Sequence, residues 1–344
     1  MESSHGRKLA FSALCCSLGV WAFMKVNEVT GPSFQPIIES CTNADISADE
    51  FASKTGYHEY EPKVGLGVFN ILVCFITQFL LQLREMYPKG ILTWGGVIAV
   101  SLPVGLLGVF QPGRAGARGP VTYPLIIGLL YQTVGICVIF PLLFVPSYIW
   151  GRGKPGAPLS MYRMIMAIPL CSPGFILTCI IFTAPTDSYL WTISAGILGG
   201  PLLIFSSALM WIDNSLSISH TAKNITRSVD VAKNVWNIAS FLSSLGWLFL
   251  VKVAYGVYGT DLGSLWKDIW VDAEGAVAFM TVDSGVLYLS LLLLVAYHSG
   301  MKAIKALLLT PLMGPAAICL ALKEIEIDDA SHYLKEIEGE KKKV

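Results

Sequence analysis

An all-α, polytopic transmembrane helix bundle is the fold this chain predicts, on three observations. Of its 344 residues, 54% are hydrophobic and only 14% charged, with a mean hydropathy of +0.61, whereas soluble globular chains run near about 45–50% apolar and about 25% charged. The apolar residues fall in long continuous runs divided by short polar stretches, which is the signature of a bilayer rather than of an amphipathic surface. The 24 basic residues balance 24 acidic ones, so no basic field remains to hold a nucleic acid. The shortage of charge also excludes an ordinary cytosolic enzyme and a disordered chain.

A spanning helix needs roughly 20 apolar residues. The runs are Leu9–Met24, Val64–Leu83, Ile91–Phe110, Tyr123–Trp150, Met161–Phe182, Tyr189–Ile212, Val235–Tyr258, Ala276–Tyr297 and Ala306–Leu322, which gives eight to nine spanning helices and no soluble domain. Lipid offers no hydrogen bonds to a backbone, so each run is expected as a helix. Residues 1–26 form an N-terminal anchor or signal-like helix. Arg7 and Lys8 precede its apolar stretch, and without a small-x-small site before Asn27 an uncleaved anchor is expected. Residues 27–63 form a lumenal loop, 64–322 the bundle, and 323–344 a charged tail. The fourth run is overlong and is expected to tilt, or to break at Pro141 or Pro146.

Orientation follows from the basic residues of the loops. The Asn27–Lys63 loop carries seven acids against two lysines and is placed in the lumen. The loops with Arg84 and Lys89, with Arg152 and Lys154, with Lys223, Arg227 and Lys233, and with Lys302 and Lys305 then alternate to the cytosol, and Arg114 and Arg118 alone sit on the wrong side. The same alternation sends the tail to the lumen. Its end, Lys341-Lys342-Lys343-Val344, has the pattern of a dilysine retrieval signal, which works only in the cytosol; either the ninth run, with Pro311 and Gly314-Pro315, fails to span or the lysines are a solvated charged end, and the second reading is preferred. Asp328-Asp329 reads likewise, and Asp213–Asn234 reads as an interfacial connector with an unused glycosylation sequon at Asn224.

Seven of the eight cysteines, Cys74 among them, lie in apolar runs where thiols act as small hydrophobes. Cys41 alone lies in a lumenal loop, so no disulfide is expected within the chain. No metal-ligating spacing, phosphate-binding loop, nucleophile elbow or Asp-rich prenyl-diphosphate motif occurs, and neither a metal nor a cofactor is expected.

An acid inside a membrane helix is costly, and is a functional hypothesis for that reason. Asp283 is the one acid well inside a run. Counted at 1.5 Å per residue it lies roughly 10–12 Å below the lumenal edge, and Lys252 roughly 9 Å below the same edge. Two readings stand: a structural ion pair of Asp283 with Lys252, or a general acid, since apolar surroundings disfavour an ionised carboxyl group. Trp94, Tyr131, Trp191, Trp211 and Trp247 are candidates to line a cavity whose ring faces would stabilise a cation; Trp and Tyr also populate interfacial belts. Gln132, next to Tyr131, can face the same cavity. Asn70, Gln78 and Asn237 are expected to bond between helices. Asp213 ends the sixth run, and Glu61, with Glu59, precedes the second run on the side of Asp283; both are secondary acid candidates that interfacial charge also explains.

Several segments resemble the fungal multi-pass membrane terpene cyclases of meroterpenoid (ascofuranone-type) pathways and related proteins of indole-diterpene clusters. They are Thr55-Gly56, Gln111-Pro112-Gly113, Thr122-Tyr123-Pro124, Gly128-Leu129-Leu130-Tyr131-Gln132, Phe279 to Asp283, and Gly314-Pro315-Ala316-Ala317, in shared order over residues 50 to 326. The resemblance implies an isomerase or lyase of secondary metabolism that cyclises a prenylated or epoxidised isoprenoid by protonation, without a metal, with Asp283 at the position of the family's acid. It implies a hydrophobic isoprenoid substrate, a place in the endoplasmic reticulum membrane, and other membrane-bound pathway enzymes as partners. The family's second acid, before the Pro-Gly turn, is missing from Leu106-Leu107-Gly108-Val109-Phe110, which counts against a two-carboxylate mechanism. The rival functions are a transporter, for which Gly199-Gly200-Pro201 would interrupt a helix, and a non-catalytic membrane scaffold.

Overall fold

A computed structural model describes residues 5–42, 68–171, 173–186 and 218–341, with 47, 50, 53, 188, 190, 191 and 194 between them. The second-acid candidates Asp213 and Glu61 lie outside the described residues, as do Trp211 and Gly199 to Pro201. All regular structure among the described residues is helical.

In order, the helices are α1 (His5–Thr42), α2 (Val68–Glu85), α3 (Lys89–Phe110), α4 (Pro124–Val134), α5 (Ile136–Gly151), α6 (Met161–Cys171), α7 (Pro173–Thr183), α8 (Ala222–Tyr258), the short α9 (Leu262–Trp266), α10 (Gly275–His298), α11 (Gly300–Met313) and α12 (Ala316–Lys341). Four of them, α1, α3, α8 and α10, are long and apolar enough to cross a membrane. The expected runs Ile91–Phe110 and Ala276–Tyr297 match α3 and α10 to within two residues.

α1 and α10 lie antiparallel. Arg7 donates to the Ala296 carbonyl, and Phe34 packs on Phe279 with ring centroids 6.1 Å apart. α3 runs from Lys89, paired with Asp268 at 3.4 Å, to Arg114, which donates to the Ala157 carbonyl at 2.9 Å. Every helix can thus be placed between a Gly275 end and a His298 end of α10.

The fourth expected run is two helices, and it breaks at neither proline. Gly135, at φ +105°, separates α4 from α5; positive φ costs a Cβ-bearing residue dearly, and glycine very little. Pro141 and Pro146 both lie inside α5, Pro141 within a π-turn over Phe140–Phe144 and Pro146 in the turn that follows it. The two halves fold back on each other. Arg118 N–H donates to the Gly151 carbonyl at 2.8 Å and Val121 N–H to Ser147 Oγ at 2.6 Å, so the run enters and leaves at the His298 end. Arg114 and Arg118 therefore share the end of Arg152 and Lys154, and the pair that breaks the charge alternation is Arg84 and Lys89.

The ninth run folds in the same way. Gly314, at φ +60°, turns α11 into α12, and the two descend together, with Lys305 paired to Glu324 and Lys302 to Asp328. The tail as far as Lys341 is consequently at the His298 end, and its first half is packed, not solvated: Ile325, Ala330 and Tyr333 are buried, and Asp329 pairs with Arg152, whereas residues 342–344 lie outside the described residues. The fifth run is helical over Met161–Cys171 and Pro173–Thr183.

Two connectors also differ from expectation. The lumenal loop is helical as far as Thr42, with Phe34 and Ile37 buried. The stretch from Ala222 to Asn234 is the first third of α8, where Ile225 and Val229 pack on Ala157 and Tyr333, and Ser228 Oγ accepts the Leu159 N–H. A disulfide joins Cys41 to Cys74 and ties α1 to α2 at the Gly275 end.

Candidate functional site

Helices α1, α2, α3, α4, α5 and α10 surround an elongated cavity of about 840 Å³. Its lining follows α3 from Trp94 to Val109, about 22 Å at a rise of 1.5 Å per residue. The wall towards the Gly275 end is aromatic. Phe34, Phe75, Phe79 and Phe279 meet edge to face, with centroids 5.4 Å apart for Phe34–Phe75 and 5.6 Å for Phe79–Phe279. Trp94 is held beside them by a 2.8 Å hydrogen bond from Nε1 to Thr178 Oγ1. The far arm is lined by Val104, Gly105, Gly108, Val121, Ile127 and Phe144, all apolar. At Gly108 an added Cβ would meet no atom within 4 Å, so the void begins at the backbone itself.

Asp283 is the only acid lining the cavity among the described residues, and it is 2% exposed. Its position follows from the break at Gly135. A helix start leaves its first N–H groups without partners, and Asp283 Oδ1 accepts one of them, the Cys137 N–H, at 3.0 Å. The Cys137 thiol faces the same carboxyl group. Asp283 thus caps α5 from a neighbouring helix, where the helix dipole favours an anion. That bond fixes one oxygen, Oδ1.

The other expected residues divide. Trp94, Tyr131 and Gln132 line the cavity with Asp283. Trp247 does not: its ring packs on Gly314 at the α11–α12 turn, and its Nε1 donates to the Pro311 carbonyl at 3.4 Å. Lys252 is exposed on α8 and is no partner of Asp283. It stands two residues after the buried Leu250, hence about 200° round the helix on its outer side. Trp191 is buried against α7, donating to the Ile181 carbonyl at 3.0 Å. Asn237 bonds between helices as expected, accepting from Lys323 at 3.0 Å, whereas the fully buried Gln78 amide finds no partner.

Sequence reasoning missed the cavity face of α1, with Asn27, Thr30 and Gln35, because Pro32, Pro36 and the nearby acids read as a loop. The four-residue spacing of Asn27, Gly31 and Gln35 was the available signal. Comparison with protein-family models, curated proteins and solved structures found no match for this chain.

Proposed function

We propose that the chain is a multi-pass membrane terpene cyclase that closes rings on a prenylated or epoxidised isoprenoid by protonation. The observation that carries this reading is a solitary buried carboxyl group on the wall of a long apolar cavity, beside a cluster of aromatic rings. A volume of about 840 Å³ suits a small-molecule site, which typically measures about 300–1,000 Å³. On this reading Asp283 Oδ2–H gives its proton to an epoxide oxygen, and the C–O bond breaks to leave a carbocation. The electrons of a neighbouring double bond close the ring, and the final cation returns a proton to the carboxylate. The product is an isomer of the substrate. The aromatic faces stabilise the intermediate cations without attacking them, and Oδ1, held by the Cys137 N–H, keeps the acid oriented.

The same reading places the protein in the endoplasmic reticulum membrane with the Gly275 end lumenal. The Cys41–Cys74 disulfide at that end supports this, because disulfides persist in oxidising compartments. Arg114, Arg152, Lys302 and Lys305 at the opposite end agree with the rule of cytosolic positive charge.

A second reading, a transporter, draws on the break at Gly135, because transporters bind their cargo at interrupted helices near buried acids. Expression in a heterologous host supplied with an epoxyfarnesyl phenol separates the two. A cyclase yields a product of unchanged mass with new rings; unchanged substrate in membranes that contain the folded protein overturns the first reading.

A further inference from the structure

We infer that the cavity takes a long amphiphile tail first from the bilayer interface, through a mouth between α1 and α4, and presents the polar end of that ligand to Asp283. This rests on the reading above that the cavity holds an isoprenoid chain. The mouth is visible in the exposures: Asn27, Gly31 and Gln35 on α1, and Thr133 and Val134 at the end of α4, all line the cavity and are all exposed.

Its level in the bilayer follows from α1. The apolar stretch of that helix ends at Lys25, which pairs with Glu28 at 3.0 Å on the exposed surface. The adjacent Val26 packs with Cys137 and Val282, immediately beside Asp283. Mouth and carboxyl group therefore lie at the level where the surface of α1 turns charged, the level at which the polar end of an amphiphile is expected.

From that level the cavity descends along α3 for about 22 Å, and past Ser101 its α3 wall is Val104, Gly105, Gly108 and Val109. A polar group sent down that arm would lose its water hydrogen bonds and gain none. At the mouth, Asn27, Gln132 and Asp283 offer such bonds. The apolar chain goes down and the polar end stays up. Gly108, with open space where its Cβ would be, then sets the length of chain that fits.

The test uses the full chain in phosphatidylcholine vesicles and two farnesol probes, one with a photoactivatable diazirine at the hydrocarbon terminus and one with it beside the hydroxyl. Labelled peptides are mapped with and without excess farnesol. The terminal probe is expected to mark residues 104–109 or 121–128, and the hydroxyl-side probe residues 27–35 or 279–283. Gly108→Trp is expected to cut labelling by the terminal farnesol probe about tenfold and to spare a geraniol probe one isoprene unit shorter. Gly108→Ala is expected to label as wild type. A reversed pattern that farnesol still competes away overturns the orientation alone, as does Gly108→Trp that folds but does not discriminate by length. Should that variant not fold, the wild-type maps decide. Absence of any competed labelling inside the cavity overturns the isoprenoid reading and this inference together.

Discussion

The two ends of the helix bundle bury charge in opposite ways. At the His298 end, Arg114 is paired with Glu326 and bonded to the Ala157 carbonyl, and Arg152 contacts Tyr148, His298 and Asp329. Burial pushes the Asp329 carboxyl group above its usual value, against the pull of Arg152. The void left among these groups is about 20 Å³, room for a single water. Towards the Gly275 end, Asp283 meets the backbone N–H and thiol of Cys137 and, among the described residues, no cation, and borders about 840 Å³ of open space. Charges that face one another fasten helices, whereas a carboxyl group that faces a void is free to act on whatever fills it.

Four changes break or sharpen that contrast. Asp283→Asn keeps the shape and the Cys137 hydrogen bond but removes the acidic proton. Cyclisation is expected to fall by about 10²–10⁴-fold, with the melting temperature in detergent nearly unchanged. A large fall in melting temperature would make Asp283 a fastener like those at the other end.

Arg114→Met is expected to do the reverse, because it strands Glu326, whose side chain is only 13% exposed. Removing one partner of a buried pair costs about 3–5 kcal/mol, read as lost stability in denaturant. The double change Arg114→Met with Glu326→Leu should recover most of that loss. If the single change is neutral, the charged end is not what holds α12 down.

Lys252→Met tests whether the ion pair anticipated from sequence contributes anything. An exposed side chain away from any buried network changes stability by less than about 0.5 kcal/mol, and activity should be kept. A loss comparable to that of Asp283→Asn would restore the pair.

The smallest effect is a surface control. Asp261 caps α9, with Oδ1 accepting the Ser264 N–H at 3.0 Å and Oδ2 the Ser264 hydroxyl at 2.7 Å. Those bonds hold its carboxyl group below the usual value. The cap is therefore complete above the ordinary carboxylate range and is lost as pH falls through the lowered folded value. The protection factor of the Ser264 amide, the exchange rate of an unstructured peptide at the same pH divided by its own, should fall on acidification, and in Asp261→Asn it should lose that pH dependence.

Much of the site was legible because its signal is local. Asp283 is conspicuous as the one acid deep in an apolar run, and Trp94, Tyr131 and Gln132 were legible as large or polar side chains within such runs. What it touches was not legible. Lys252 matched it in depth, but depth along an axis says nothing about the angle round a helix, and the partner turned out to be a backbone N–H freed by a glycine break in another helix. Cys74 shows the same limit, since its apolar neighbours hid the approach of Cys41 from α1.

The sequence by itself determined a helical membrane protein, the bounds of α3 and α10, and a candidate acid, because hydrophobicity and chain length act through neighbours along the chain. Tertiary structure alone decided that the fourth and ninth runs fold back at Gly135 and Gly314, that the tail returns to the basic end, and that six helices leave a cavity beside Asp283. A helix packed in protein and one packed in lipid need the same apolar side chains. Composition cannot tell a hairpin from a crossing; the difference lies in the backbone angle of a single glycine and in contacts between residues far apart in the chain.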